Sequence, residues 1–320
     1  MKVALLVSIC LAIAAPLQAL HAAPTCAVTG SPVLDFGTVN PSAGGNITSM
    51  VTLNWTCSRT TNDRSRNNTL CIYLASDNTG SMQPRYLQPV NGQPPNLPFN
   101  VYDAPTYTNV VGQPGGPVTN GIEVNVDLNP PTSTTSGTVT LYGMIPTPLP
   151  ANTQSGLHQA IMANSYVGVL TGGFNQSCDS VTPLITSSYT LTAQATINYQ
   201  CDVSASDLDF GTQPAPLRND VDAMSTVTVH CTDTTPFDVG LDNGTHGSRN
   251  MANGANLLHY DLYQDNGRNI VWGNSSGSRV TGVGLGLGTA VDLPVYGRVF
   301  SNQSAPAGLY TDTITVDVNF

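Results

Sequence analysis

One block of residues occurs twice in this 320-residue chain, and that repetition constrains the fold more than any other feature. The second copy starts at Cys201, passes through Leu-Asp-Phe-Gly and reaches Cys231 thirty residues after its first cysteine. The first copy starts at Cys26, passes through the same four residues and reaches Cys57 after thirty-one. A block repeated in this way predicts two domains of one type.

The correspondence extends well beyond the cysteines. Residues 97–103 match 258–264, residues 141–143 match 295–297, and Ser155-Gly156-Leu157 stands where Ala307-Gly308-Leu309 stands in the second copy. The first copy then continues to residue 198, whereas the second stops at Phe320. We therefore expect the first copy to contain a segment that the second lacks.

The N-terminal segment is typical of a secretory signal peptide. Lys2 precedes an apolar run, and small residues follow at Ala22 and Ala23, so we predict a signal peptide over residues 1–22. A membrane anchor is the alternative, but the run is short for a bilayer span and no cationic residue follows it. We expect the chain to be secreted through the periplasm.

Six cysteines remain after the predicted cleavage, an even number that suits three disulfides in an exported chain. The repeat predicts the pairing: Cys26–Cys57 and Cys201–Cys231 are equivalent, which leaves Cys71 and Cys178 to pair with each other. In the chain-entropy model, each loop of about 30 residues contributes roughly 3 to 4 kcal/mol.

Charge and residue pattern narrow the class of protein. The formal net charge is −10, and Lys2 is the only lysine, so nucleic acid is a poor candidate partner. Apolar and polar residues alternate with a period of two, as in Ile314, Val316, Val318 and Phe320, and this period predicts half-buried strands. The length and the turn spacing favour an all-β protein with two β-sandwiches.

A segment just before Cys201 is apolar at every odd position. The five apolar residues are Tyr189, Leu191, Ala193, Ala195 and Ile197. This alternating segment, Cys-x-Val, Phe-Gly, the second cysteine and the closing Tyr-x-Asp-x-Ile-x-Val strand together resemble the spore coat protein U domain. That domain is used by pilins of the archaic, Csu-type chaperone-usher pili, and the likeness is strongest from Tyr189 to Phe320.

The resemblance implies a specific architecture. In that family each pilin is an immunoglobulin-like sandwich without its last strand, and a neighbouring subunit donates an alternating strand to fill the gap. Strand 189–197 is then expected to close an N-terminal adhesin domain, residues 23–198, in cis. The C-terminal pilin domain, residues 199–320, is expected to lack its final strand, with Ile314, Val316, Val318 and Phe320 along a donor-strand groove.

The resemblance also implies a function. Only three residues separate the predicted cleavage site from Cys26, so the expected mature chain accepts a strand but has none to donate. This pattern resembles a tip adhesin at the cell surface that mediates attachment and biofilm formation. The implied partners are a periplasmic chaperone, an outer-membrane usher, the adjacent pilin that donates a strand, and an abiotic or host surface.

Apolar residues in loops expected at the end far from the C-terminal domain are candidates for surface binding. Alternating strand directions predict that three segments lie there: residues 104–111, the turn 129–131 and residues 171–188. The candidate residues are Tyr107, Val110, Val111, Pro130, Pro131, Phe174, Val181, Leu184 and Ile185. The alternative is that these side chains pack beneath their own loops. The run 58–69, with Arg59, Arg64 and Arg66, is a weaker candidate.

Two other functions remain open at this point. One is a structural coat or matrix protein of the spore coat U type, in which both domains are complete in themselves. The other is a carbohydrate-binding module that uses Tyr86, Tyr107 or Trp55 as stacking platforms, although the position of Trp55 near a disulfide favours the core.

The sequence does not favour an enzyme or a bound cofactor. The four histidines of the expected mature chain have no metal-binding spacing, no GxSxG motif occurs, and Glu123 is the only glutamate. We expect no catalytic residues, no metal site and no cofactor.

Overall fold

Strands that alternate between buried and exposed side chains build the whole of the described chain. The computed structural model describes residues 23–60, 63, 65–91, 95–129, 133–179 and 182–320. The predicted signal peptide, Pro130, Pro131, Val181 and Arg64 lie outside these residues. No α-helix occurs in the described part, which therefore holds no helix that could span a membrane.

The strands divide into an N-terminal and a C-terminal group. The N-terminal strands are β1 (Thr25–Thr29), β2 (Val33–Val39), β3 (Ile47–Ser58), β4 (Asn67–Tyr73), β5 (Arg85–Pro89), β6 (Leu97–Tyr102), β7 (Ile122–Asp127), β8 (Thr134–Ile145), β9 (Gly156–Thr171) and β10 (Leu184–Ile197). The C-terminal strands are β11 (Cys201–Ala205), β12 (Val221–Cys231), β13 (Pro236–Leu241), β14 (Asn250–Asn253), β15 (Asn256–Tyr263), β16 (Val280–Val283), β17 (Val291–Val299) and β18 (Val316–Asn319).

The N-terminal strands form one curled sheet of ten strands that folds into two layers. One layer has the order β1-β3-β8-β6, and the other has the order β7-β4-β9-β10-β2, with β5 pairing β6 and β9. In the second layer, β10 lies between β9, to which it is antiparallel, and β2, to which it is parallel. The alternate side chains of β10 therefore enter the space between the layers.

The C-terminal strands repeat this plan with fewer members. A five-stranded sheet has the order β11-β12-β17-β15-β14 and corresponds to the first N-terminal layer. A three-stranded sheet has the order β16-β13-β18 and corresponds to β7-β4-β9. Among the described strands, none in this sheet corresponds to β10 or β2. The prediction of an all-β fold with two sandwiches is confirmed.

Each group of strands has its own hydrophobic core. One core cluster draws its buried residues from positions 26–197, and the other is built from positions 201–318. A boundary near residue 198 agrees with this division, although its exact position remains a prediction. Backbone hydrogen bonds join the groups, from Asp233 N to Thr153 O at 3.1 Å and from Ser155 N to Asp233 O at 3.3 Å.

The three predicted disulfides are confirmed. Cys26–Cys57 and Cys201–Cys231 link the paired residues of β1–β3 and β11–β12, which are equivalent positions in the two domains. Cys71–Cys178 ties β4 to the segment between β9 and β10 and belongs to the N-terminal domain alone.

Candidate functional site

The first candidate site is a groove in the C-terminal domain, at the place that β10 and β2 occupy in the N-terminal domain. Two adjoining cavities of about 420 and 660 Å³ form it. Both are lined by Leu208, Phe210, Met251, Leu309 and Tyr310, and the larger is also lined by Ile314 and Val316. The groove is therefore open, and its lining combines these apolar side chains with polar ones such as Asp209.

The repeat explains the position of one wall. Leu208 and Phe210 correspond to Leu34 and Phe36 of β2, and a Cβ at Gly297 would contact both of them, as a Cβ at Gly143 would contact Leu34 and Phe36. The segment around Leu208 is not a strand, although its counterpart β2 is one. We attribute the difference to β10, which supplies the backbone partner of β2.

The opposite wall is the last strand of the chain. Among the described residues, β18 pairs with β13 alone, and its other edge faces the groove. Ile314 and Val316 are half-buried and line the groove, Val318 packs against the C-terminal core, and Phe320 is 57 % exposed. An unpaired strand edge of this kind is a ready template for another strand.

Residue Arg279 fixes that last strand in place. Its guanidinium donates to the carbonyl oxygens of Asp238 on β13, at 3.2 Å, and of Asp317 on β18, at 3.0 Å. It also forms ion pairs with the carboxylates of both aspartates. The edge of the groove is therefore positioned even when the groove is empty.

The predicted strand 189–197 lies in the N-terminal sheet as part of β10. The side chains of Tyr189, Leu191, Ala193, Ala195 and Ile197 are all 6 % exposed or less. They pack in the core with Leu34 of β2 and with Ala160 and Met162 of β9. The hydroxyl of Tyr189 donates to Tyr73 O at 3.0 Å, so its polar atom is satisfied as well.

The second candidate site is the end of the N-terminal sandwich at which β10 begins, called here the outer end. The chain leaves β10 at Ile197 and enters the C-terminal domain at Cys201, so Leu184 lies at the opposite end. Strand β9 ends there at Thr171, next to Asn68 of β4. The connection 172–183 therefore starts and ends at the outer end.

This connection is held firmly against the sheet. Asn175 N donates to Asn125 Oδ1 at 2.9 Å, and Asn125 Nδ2 donates back to Asn175 Oδ1 at 2.8 Å. Gln176 N donates to Thr69 Oγ1, and Cys178 is bonded to Cys71. The neighbouring apolar side chains Phe174, Leu184 and Ile185 are 39, 57 and 61 % exposed.

Several predicted surface residues need correction. Val110 and Val111 are buried, at 8 and 1 % exposure, so the prediction that they face a surface is wrong. Val111 N donates to Val101 O, and Arg85 donates to Val111 O, which draws this segment back onto β6. Tyr107 is half-buried, with its ring edge-on to Tyr102 at a centroid distance of 5.4 Å.

Two further interpretations change. The sequence predicts a loop that reaches residue 188, but Leu184 and Ile185 are the first two residues of β10. They are exposed because they lie at the end of the strand. Trp55 is 6 % exposed and belongs to the core, so it offers no stacking platform.

Sequence reasoning missed a buried arginine that occurs once in each domain. Arg85 donates to the carbonyl oxygens of Leu74, Ala75 and Val111, and Arg249 donates to those of Leu241, Asp242 and Trp272. Both are at most 4 % exposed, and burial lowers both pKa values, that of Arg85 to about 10. Leu74 directly follows β4 and Leu241 is the last residue of β13, so the shared contact with a buried arginine makes β4 and β13 equivalent.

The described residues contain no group of three or more His, Cys, Asp or Glu side chains that could hold a metal ion. His158 is buried and belongs to no such group among the described residues. Burial lowers its pKa below the ordinary value, and its Nε2 atom has no hydrogen-bond partner.

Comparison with solved structures finds tip adhesins at low similarity. A chaperone–tip adhesion subunit pre-assembly complex, CsuC–CsuE from archaic chaperone-usher Csu pili of Acinetobacter baumannii, aligns with 92 % of this chain and 100 % of the solved chain, at 17 % identity and a TM-score of 0.46. The CupB6 tip adhesin of Pseudomonas aeruginosa aligns with 92 % of this chain and 91 % of its own, at 10 % identity and a TM-score of 0.36.

Comparison of sequences finds a curated relative and a matching family model. Protein U of Myxococcus xanthus is 35 % identical over 129 residues, which are 35 % of this chain and 71 % of the relative. The family model of the Spore Coat Protein U domain matches residues 12–162 and again residues 187–317. These two matches cover most of the chain and coincide with its internal repeat, and the chain belongs to the Spore Coat Protein U domain family.

Proposed function

We propose that this protein is the tip adhesin subunit of an archaic chaperone-usher pilus, which attaches to surfaces and supports biofilm formation. One observation carries the proposal: the slot that β10 fills in the N-terminal domain is an open groove in the C-terminal domain. A subunit at the end of a fibre needs one domain that is complete and one that accepts a strand from the subunit behind it.

The occupant of the groove is a β-strand with alternating apolar side chains from the adjacent pilin. The N-terminal domain supports this choice because β10, with that pattern, fills the equivalent place. Four or five apolar side chains that become buried contribute about 1.5 to 3 kcal/mol each, so the strand stabilises the domain by about 10 kcal/mol. Because a whole domain is stable by only about 5 to 15 kcal/mol, the empty C-terminal domain is marginal.

The remaining partners follow from that marginal stability. An open apolar groove beside an unpaired strand edge leads to aggregation, so the subunit needs a periplasmic chaperone that lends a strand during export. An outer-membrane usher then exchanges the chaperone for the next pilin. The proposed location of the mature protein is the pilus tip at the cell surface.

The proposed attachment surface is the outer end of the N-terminal domain. Phe174, Leu184 and Ile185 present apolar area there on a backbone that hydrogen bonds and Cys71–Cys178 hold in place. Exposed apolar groups on a rigid support suit an abiotic or host surface, since little conformational entropy is lost on contact. Pro130, Pro131 and Val181 remain proposed members of this surface.

The groove is tested by thermal unfolding of the full mature chain with and without a peptide of residues 187–198. We expect two transitions without peptide, and a rise of the lower one with peptide, because the peptide fills the open slot. A peptide of the same composition with each apolar residue exchanged with its polar neighbour is the control. A single sharp transition that the peptide leaves unchanged contradicts the proposal.

That contrary result favours a second function, a structural coat or matrix protein. The family description, which names a spore coat protein, is the observation in favour of it. In that case both domains are complete without a donated strand.

The attachment surface is tested by the triple variant Phe174→Ser, Leu184→Ser and Ile185→Ser. We expect weaker attachment of piliated cells to a hydrophobic surface at an unchanged level of secretion. The matched control is Val33→Ser with Ile161→Ser, since both residues are exposed, at 44 and 43 %, on the side of the sandwich. Equal attachment by all three proteins places the binding surface elsewhere.

A further inference from the structure

The internal repeat assigns an N-terminal counterpart to each residue on the wall of the groove. Ile72 of β4 pairs with Val167 of β9, and Val239 of β13 pairs with Val318 of β18. Ile72 and Val239 are equivalent because each lies two residues before the leucine whose carbonyl binds the buried arginine. Val167 and Val318 are therefore equivalent.

Sequence alignment gives the counterparts of the residues that precede Val167 and Val318 in the two domains. Gly156-Leu157 matches Gly308-Leu309, and β9 carries one extra residue at a bulge between Met162 and Ser165. Counting up from the glycines therefore makes Asp312 the counterpart of Ala160. The alignment of 97–103 with 258–264 likewise makes Tyr260 the counterpart of Phe99.

This equivalence shows a chemical difference between the place that β10 fills in the N-terminal domain and the groove in the C-terminal domain. In the N-terminal domain, Ala160 is fully buried and pairs with Ala193 of β10, and Phe99 belongs to the same core. In the C-terminal domain, a carboxylate and a phenol hydroxyl occupy these positions, and both residues line the larger cavity. The open groove therefore carries a polar spot where the filled slot is apolar.

The two carboxylate oxygens of Asp312 accept different numbers of hydrogen bonds. Its Oδ1 accepts hydrogen bonds from Thr245 N at 3.0 Å, Thr245 Oγ1 at 2.8 Å and Thr313 N at 2.8 Å, and His246 Nδ1 lies 3.3 Å away. Its Oδ2 accepts one bond among the described residues, from the Tyr260 hydroxyl at 2.8 Å. A carboxylate oxygen has two acceptor sites, so Oδ2 keeps one.

The carboxylate is ionised in this setting. Burial by itself raises the pKa of Asp312, but the hydrogen bonds from Tyr260, Thr245 and Thr313 outweigh burial and bring the pKa below its ordinary value. The side chain is only 2 % exposed. An apolar side chain packed against such a group leaves the open acceptor site of Oδ2 without a donor, which is unfavourable.

We propose that Asp312 is a specificity-determining residue of the groove and selects an incoming strand that carries serine at the position opposite it. The residue of the strand in register with Asp312 corresponds to Ala193 and points to the same face. Opposed Cβ atoms lie about 4.5 to 5.5 Å apart, which leaves room for a small side chain. A serine hydroxyl there donates a charge-assisted hydrogen bond to Oδ2. The inference rests on the proposed function, since it requires an incoming strand.

The test compares two peptides of residues 187–198, one natural and one with Ala193→Ser, by calorimetric titration of the full mature chain. We expect the serine peptide to bind about tenfold more tightly, because a hydrogen bond to a charged group contributes about that factor. The double variant Asp312→Ala, Tyr260→Phe recreates the N-terminal pair. For this variant we expect the preference for serine to disappear.

The outcomes separate this inference from the proposed function. If the wild-type chain binds both peptides equally, or if the double variant keeps the preference for serine, Asp312 does not select the strand, although the groove still accepts one. If the wild-type chain binds neither peptide, both the groove's proposed role and this inference fail. An unchanged N-terminal unfolding transition serves as the folding control for the variant.

Discussion

The two domains are built on one plan, but equivalent residues are buried to different extents. Leu34 of β2 and Met162 of β9 are fully buried, whereas their C-terminal counterparts Leu208 and Ile314 are half-buried. The strand β10 accounts for the difference, since it lies between the two walls in one domain and has no described counterpart in the other. The domain that contains β10 is therefore the guide to the strand that we propose for the other domain.

The largest expected effect comes from truncating a matched pair of wall residues. Met162→Ala removes a fully buried side chain and should cost about 2 to 5 kcal/mol of unfolding free energy in the N-terminal domain. Ile314→Ala should cost only about 1 kcal/mol in the empty C-terminal domain, because that side chain is half-exposed. Denaturant unfolding followed domain by domain measures both. Equal costs would show that the C-terminal slot is already closed.

The next effect concerns the disulfide that the two domains do not share. Replacing Cys71 and Cys178 by alanine should lower the free energy of unfolding of the N-terminal domain by roughly 2 to 5 kcal/mol, because the unfolded chain gains freedom. The C-terminal transition should not move, since Asp238 occupies the position of Cys71 there. Calorimetry resolves the two transitions, and a shift of both would mean that the domains unfold as one unit.

A smaller effect is expected at the edge of the groove. Arg279→Ala removes the bonds that join β13 to β18, and it should cost about 1 kcal/mol, since the aspartate partners are partly exposed and screened by solvent. Amide hydrogen exchange of residues 316–319 should accelerate. Arg298→Ala, which removes ion pairs to Asp220 and Asp222 instead, is the control. Equal exchange rates of residues 316–319 in both variants would show that Arg279 does not stabilise the edge of the groove.

The smallest effect is a pH dependence confined to the N-terminal domain. Burial places the pKa of His158 in the folded state below its ordinary value of about 6.5, so the unfolded chain binds more protons. The stability of this domain should therefore fall as the pH is lowered below about 6.5. Thermal unfolding at pH 7.5 and 5.5 measures it, with His158→Gln expected to reduce the dependence and the exposed His259→Gln to leave it unchanged.

The sequence was sufficient to predict disulfide pairing and strand burial, because the internal repeat and the alternation of apolar and polar residues indicate both. The pairing of six cysteines followed from two equivalent blocks, and the burial of Leu191 and Ala193 agrees with the alternation of the segment that contains them. Both signals depend on spacing along the chain, which strands preserve.

The sequence was insufficient where side chains meet across sheets. Val110 and Val111 are apolar residues in a connection, and nothing local indicates that Arg85 draws this segment into the core. Arg85 follows Leu74 by eleven residues, whereas Arg249 follows Leu241 by eight, so the equivalence of the two arginines is invisible in an alignment anchored on the cysteines. Their shared role depends on carbonyl groups that only the folded chain brings together.

The placement of β10 has a mechanical consequence. The strand is bonded on both sides within its sheet, begins at the outer end and continues after Ile197 directly into the C-terminal domain. In the proposed tip adhesin, tension between an attached outer end and the rest of the fibre runs along β10 and loads its ladder of hydrogen bonds in shear. Bonds loaded in shear share the force and must break together, whereas bonds that are peeled break one at a time. Under the proposed function, the strand that completes the domain therefore also resists the pull of flowing liquid.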